Sequence, residues 1–115
     1  MIPQSEGDLK NTCADYLQYG MNQGKWWFTR LNCGEAFVKK GGKDYKIELC
    51  EEGTADFEVI KQNCVLEYTD VLFIELKSEK GKQSPEQGSF QKIVEAQGCK
   101  YYLLRSFEEL EALLK

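Results

Sequence analysis

An α/β fold, a mixed β-sheet with helices packed on it, is the class that this 115-residue sequence predicts, and three observations predict it. Short extended runs fill the middle of the chain, apolar residues at helical spacing mark its two ends, and a late segment reads strand, helix, strand. The last pattern implies a right-handed crossover between parallel neighbours. The length is near the usual modal size, so residues 1–115 are expected to form one domain.

Residues 6–19, EGDLKNTCADYLQY, put Leu9, Cys13, Tyr16 and Leu17 on one helical face, with Ser5 as the expected N-cap. KWWFTRLN and AFVKK follow as extended runs; adjacent Trp26 and Trp27 must face opposite ways, one inward and one toward a base or a subunit contact. KKGGKDYKIELC reads as a hairpin around Gly41-Gly42, and TADFEVIK as a strand after a turn at Gly53. Residues 62–69 fit either a loop or the start of one long strand running into Val71. Residues 71–78 are a strand. In SPEQGSFQKIVEAQG, Ser84 is an N-cap, Pro85 takes the first helical position, Gln87 completes a capping box and Gly98 ends the helix. CKYYLLR is a short strand, and SFEELEALLK a last helix with a second capping box from Ser106 and Glu109. Gly88 inside a helix costs about 1 kcal/mol relative to alanine, which a close backbone approach would explain.

Composition narrows the chemistry. There is no histidine, and Cys13, Cys33, Cys50, Cys64 and Cys99 have no C-x-x-C spacing. That argues against zinc sites of the usual kinds and excludes Cys-His and Ser-His-Asp catalysis. Buried, reduced thiols are the expected state of the cysteines. An active site must then be made of carboxylates, lysine, amides and a hard metal ion. No apolar run approaches the roughly 20 residues of a membrane helix, and MIPQSEGDLK is not a leader, so no membrane and a cytoplasmic location are expected. The net charge of −4 hides a segregation: Lys25, Arg30, Lys39, Lys40, Lys43 and Lys46 crowd residues 25–46 against Glu35 and Asp44. Such a patch can bind phosphates, because screening makes local charge matter more than the sum, or it can simply solvate the hairpin.

VLFIELKS is the most apolar run in the chain, yet it contains two opposite charges. Alternation puts Val71, Phe73, Glu75 and Lys77 on one face and Leu72, Ile74 and Leu76 on the other. Glu75 and Lys77 are then either an ion pair where the strand leaves the core or part of a site. Asp56, after GTA at the entry to the preceding strand, favours the second, since neighbouring strands can bring both carboxylates to one ion. Two close carboxylates raise each other's pKa unless a cation compensates, and oxygen-only ligands suit Mg²⁺ or Mn²⁺. Lys77 can orient a water or offset charge on a phosphate.

GTADFEV, VLFIELKS, GKQSPEQGSF and GCKYYLLRSFEEL, with RLNCG earlier, resemble in order and type the VRR-NUC branch of the PD-(D/E)XK nucleases over nearly the whole chain. The resemblance implies a restriction-endonuclease-like mixed sheet with an αβββαβ core. It also implies catalytic roles for Asp56, Glu75, Lys77 and Gln87, and a metal held by Asp56, Glu75, the Leu76 carbonyl and the first-helix Glu6. Glu6 reads equally as a first-turn acid complementing the helix dipole, and Gln87 as a capping partner alone. Alanine precedes Asp56 where the family name has proline, and Phe90 stands where the branch often has tryptophan. Neither change touches a metal-binding group.

The activity this resemblance implies is a Mg²⁺- or Mn²⁺-dependent DNA endonuclease acting on branched DNA such as four-way junctions. Small stand-alone members of the branch resemble phage proteins, which would put this one in a host-cell cytoplasm. Arg30, Asn32, Lys39, Lys40, Lys43, Lys80 and Lys82 are the candidate phosphate contacts. A homodimer would supply the second site a junction needs, with the outward tryptophan and residues 101–104 as candidate contacts. The rival reading is a non-catalytic nucleic-acid or protein adaptor on the same fold.

Overall fold

The computed structural model describes residues 4–33, 35–63 and 65–115. Its elements run α1 (Glu6–Asn22), β1 (Trp27–Arg30), β2 (Glu35–Lys40), β3 (Lys43–Glu48), β4 (Phe57–Asn63), β5 (Tyr68–Leu76), α2 (Pro85–Ala96), β6 (Lys100–Leu104) and α3 (Phe107–Leu114). Four strands form one mixed sheet in the order β1-β4-β5-β6, with β5 and β6 parallel across α2 and the other pairs antiparallel. The hairpin β2–β3 is a separate two-stranded sheet. Without it the chain reads helix, three strands, helix, strand, then α3. No helix among the described residues is long and apolar enough to cross a membrane.

The alternation along β5 sorts its side chains into two cores. Leu72, Ile74 and Leu76 face Leu9, Cys13 and Leu17 of α1 and Leu110 and Leu114 of α3, with Phe57 and Val59 beside them. Phe73, on the other face, packs with Phe90, Val94 and Tyr101. Each fully buried aliphatic or aromatic side chain contributes about 1.5–3 kcal/mol, so the strand that carries Glu75 is anchored on both sides. Trp26 turns inward: its indole fills the space where a Cβ on Gly20 would stand, and its Nε1 donates to the Leu17 carbonyl at 2.9 Å. Trp27 is 48% exposed. It sits on the β1 edge of the sheet, and β6, with residues 101–104, is the opposite edge.

Capping follows the sequence closely at two helices. Ser5 accepts from the Asp8 N–H, and Ser84 with Gln87 makes a full capping box. Gly98 takes φ 90° and the Cys99 N–H returns to the Val94 carbonyl at 3.0 Å, closing α2. The second capping box is only half formed. Ser106 accepts from the Glu109 N–H, but the Glu109 carboxylate receives the Arg105 N–H at 3.4 Å, one residue before the cap. Residues 62–69 hold a turn rather than a continuous strand, because Asn63 Oδ1 accepts the N–H groups of Val65 and Leu66 at 3.2 and 3.1 Å and reverses the chain.

The hairpin forms as the Gly-Gly signal predicts, with Gly41 and Gly42 at φ 61° and 78° in a two-residue turn. Among the described residues β2 and β3 pack on no other helix or strand. The radius of gyration of 15.8 Å accordingly exceeds the roughly 13 Å of a compact chain this long. Two expectations fail. Of the four described cysteines, all free, only Cys13 is buried; Cys33 is exposed and Cys50 and Cys99 are intermediate, because the last three lie at the hairpin base or at the entry to β6. Cys64 lies outside the described residues. A Cβ on Gly88 would meet only the Gln83 side chain at 3.5 Å, so no backbone approaches there. The close approach is at Gly53 instead, where a Cβ would stand 2.5 Å from the Glu86 carbonyl oxygen and φ is 92°.

Candidate active site

The last pair in the β4–β5 register, Phe57 opposite Ile74, brings Asp56 level with Glu75. Asp56 lies in the bend just before β4 and is held there by the backbone. Its carbonyl accepts the Leu31 N–H at 2.8 Å and its Oδ2 accepts the Leu76 N–H at 2.7 Å. The carboxylate is thus tied to the peptide that follows Glu75. This is the carboxyl end of the parallel pair β5–β6, where open α/β sheets commonly bind ligands.

Glu75 is 3% exposed, and its two oxygens differ. Oε1 accepts from Gln87 Nε2 at 2.7 Å and lies 3.6 Å from the Lys77 ammonium. Oε2 is buried and has no hydrogen-bond partner. Burial, then the Asp56 charge, pushes the Glu75 carboxyl up from 4.5 to about 7, against the opposing pull of Lys77 and Lys10. A carboxylate left in this state costs stability unless something positive is supplied to it.

Gln87 both caps and touches the site, so its two readings are not alternatives. The amide has two ends: Oε1 accepts the Ser84 N–H at 2.8 Å while Nε2 donates to Glu75. The helix start and the carboxylate are thereby joined through one side chain. Gly53 reinforces the joint, since its close contact with the Glu86 carbonyl seats the turn leading to Asp56 against the first turn of α2.

Lys10, absent from the sequence-based candidates, is the other cation of the cluster. Its ammonium lies 3.0 Å from Asp56 Oδ1 and 3.6 Å from Glu6 Oε2. Burial lowers the Lys10 pKa, but the Asp56 hydrogen bond and the charges of Asp56, Glu6 and Glu75 outweigh it, and the pKa is raised. The Glu6–Lys10 spacing of four residues was a visible helical pair. That it reaches Asp56 depends on how α1 docks. Glu6 therefore joins the cluster through Lys10. Cys33, at the hairpin base, is nearby too: partial burial and then the charges of Asp56 and Glu75 raise its thiol.

The remaining candidates lie on other parts of the surface. Arg30 ends β1 and lies 3.4 Å from Asn11 Oδ1, and the Asn32 carbonyl accepts the Cys50 N–H where the hairpin leaves the body. Lys39, Lys40 and Lys43 are exposed at the hairpin tip. Lys80 and Lys82 are exposed on the loop after β5. That loop is organised by Arg105, also missed in the sequence, whose Nη1 donates to the Ser78 and Gly81 carbonyls at 2.8 and 2.7 Å. A groove of about 370 Å³ lined by Lys61, Asp70, Lys100 and Lys115 shares none of the site residues.

Asp56 Oδ1, Glu75 Oε2 and the Leu76 peptide offer oxygen donors only. Among the described residues no three His, Cys, Asp or Glu side chains form a metal-binding group. The buried oxygen of Glu75 without a partner is what fits a hard cation here. No protein-family model matches the chain, and no curated protein matches it.

Proposed function

We propose that the protein is a Mg²⁺- or Mn²⁺-dependent endonuclease that hydrolyses DNA phosphodiester bonds on a restriction-endonuclease-like sheet. One observation carries this reading: Glu75 Oε2, buried and unpartnered, beside Asp56 and on the strand face of Lys77. The order of helix, three strands, helix, strand once the hairpin is set aside supports the fold. Asp56, Glu75 and the Leu76 carbonyl would hold the ion, with Glu6 as a further candidate ligand. When bound, such an ion supplies Lewis-acid charge to a phosphodiester and acidifies water.

The chain's own groups do the rest. The Leu76 N–H and the Leu31 N–H keep Asp56 in place, and Gln87 fixes one oxygen of Glu75. Lys77 brings its ammonium to the rim of the pair, where it donates to the attacking water or offsets charge that builds on phosphate. No covalent intermediate is needed. Arg30, Asn32, Lys39, Lys40, Lys43, Lys80 and Lys82 contact the phosphates on either side, which makes affinity fall steeply as salt rises. Four-way junctions are the proposed substrate and a two-fold homodimer the proposed assembly, since an isologous contact fixes the distance between two sites.

A strand-resolved assay on linear, flapped and four-way DNA with Mg²⁺ or Mn²⁺ tests the reading. Metal-dependent cleavage that Lys77→Ala removes is expected. The adaptor reading has its own observation, the Lys10 ammonium already at Asp56. DNA binding indifferent to metal, without cleavage, would establish it. Mass action gives a further check: Mn²⁺ at about 100 times its Kd should add about 2.7 kcal/mol to wild-type stability. The Asp56→Asn, Glu75→Gln double variant should gain nothing, and an equal gain would put the ion elsewhere.

A further inference from the structure

The two carboxylates of the site are treated unequally. Asp56 has a full set of partners, the Leu76 N–H at 2.7 Å on one oxygen and the Lys10 ammonium at 3.0 Å on the other. Glu75 has a buried oxygen with none. Lys10 reaches Asp56 because Leu9, Cys13 and Leu17 fix the buried face of α1, which leaves Glu6 and Lys10, one turn apart, beside the bend before β4. Its side chain is 27% exposed, so the stem is packed but the head has a way out to water.

Resting on the metal-dependent reading, we infer that Lys10 is an exchangeable counter-ion: it holds Asp56 and Glu6 in the ion-free protein and leaves Asp56 when a divalent cation is taken up. An ammonium and a divalent ion in contact with the same carboxylate oxygen repel each other strongly in a partly buried site. Asp56 Oδ2 is committed to the backbone, so Oδ1 is where the two cations meet. A lysine stem is long and flexible enough to give way, whereas Glu75 is anchored on β5 and Asp56 is tied to the backbone through the Leu76 and Leu31 N–H groups. Lys10 thus keeps the cluster assembled before loading and raises the ion concentration needed to load it. Released from Asp56, the ammonium remains one turn from Glu6.

Mn²⁺ binding to the full chain without DNA, followed by the electron paramagnetic resonance signal of free Mn²⁺, tests this. Glu75→Gln marks which binding belongs to the site. Lys10→Met, which keeps the stem and removes the charge, should tighten Glu75-dependent binding about tenfold, while Lys10→Arg stays near wild type. Unchanged or weaker binding by Lys10→Met, with the wild type binding normally, would overturn the inference and leave the metal-dependent reading standing. No Glu75-dependent binding in any protein would overturn both. A measurement without mutation guards against a variant that folds poorly. The ¹⁵N ammonium resonance of Lys10 should move toward that of a free lysine as Mg²⁺ saturates the wild type, and a resonance that stays put would also overturn the inference.

Discussion

Glu75 at the end of β5 is 3% exposed, whereas Phe37 in the β2–β3 hairpin is 72% exposed. The two regions invert the usual placement: a charge is buried in one and apolar side chains stand in water in the other. At β5 the inversion is enforced by neighbours. Leu72, Ile74 and Leu76 lock the strand from one side and Phe73 from the other, so the strand end that carries Glu75 is held in the sheet. In the hairpin, among the described residues, no other helix or strand packs on these side chains. Val38, Tyr45 and Ile47 lie on one face at 43%, 51% and 42% exposure, stabilised by cross-strand contacts and the Gly-Gly turn. An isolated two-stranded hairpin is marginally stable in water. The lesson is that packing on both faces fixes the buried charge, whereas the hairpin, with no other helix or strand against it among the described residues, leaves its apolar side chains and its tip lysines exposed.

The largest expected effects fall on the rigid region. Asp56→Asn, Glu75→Gln and Lys77→Ala should each lower cleavage by about 10³-fold or more while the domain stays folded. Gln87→Ala should cost about 10–100-fold, the size expected when a proposed metal ligand loses its partner, with about 1 kcal/mol of stability from the broken cap. Turnover near wild type would remove the affected residue from the mechanism.

A smaller effect concerns stability in the ion-free protein. The Glu75 carboxyl is raised from 4.5 to about 7. Below pH 4.5 the folded and unfolded chains both hold its proton, so the group is neutral to stability. Between 4.5 and about 7 the unfolded chain gives the proton up first, and stability falls as pH rises. Above that range the loss is complete, about 3 kcal/mol at 1.36 kcal/mol per pH unit. Urea unfolding in EDTA across this window should show the decline in wild type and a flatter profile in Glu75→Gln. A decline of equal size in the variant would assign it to other groups. Asp56→Asn should not stabilise in the same way, because it forfeits the Lys10 ion pair.

The hairpin is predicted to matter for affinity and little for stability. Changing Lys39, Lys40 and Lys43 to alanine should reduce the slope of log K against log salt by about 0.9 for each phosphate no longer neutralised, with unfolding unchanged. An unaltered slope would leave the tip lysines as solvating charges. Smallest of all, Phe37→Ser should shift stability by no more than about 0.5 kcal/mol. A loss well above that would mean that the hairpin packs against a partner in solution, and would end the contrast between the two regions.

Much of this architecture was legible because its signals are local. Ser84-Pro85, Gln87 and Gly98 bracket α2, Gly41-Gly42 turns the hairpin, and alternation along VLFIELKS puts Glu75 opposite the Leu72–Ile74–Leu76 face. These depend on φ, on an orphan N–H or on a two-residue period, all carried by neighbours in the chain. Residues 62–69 stayed open because an apolar run and a turn differ there only in what the Asn63 side chain does. Docking decided the rest. Lys10 meets Asp56 across 46 positions of sequence, Arg105 gathers the carbonyls of a loop more than 20 residues away, and Gln87 serves cap and carboxylate at once. No periodicity encodes such meetings. They follow from how α1, α2 and β6 pack on β5, and that packing leaves one oxygen of Glu75 buried without a partner.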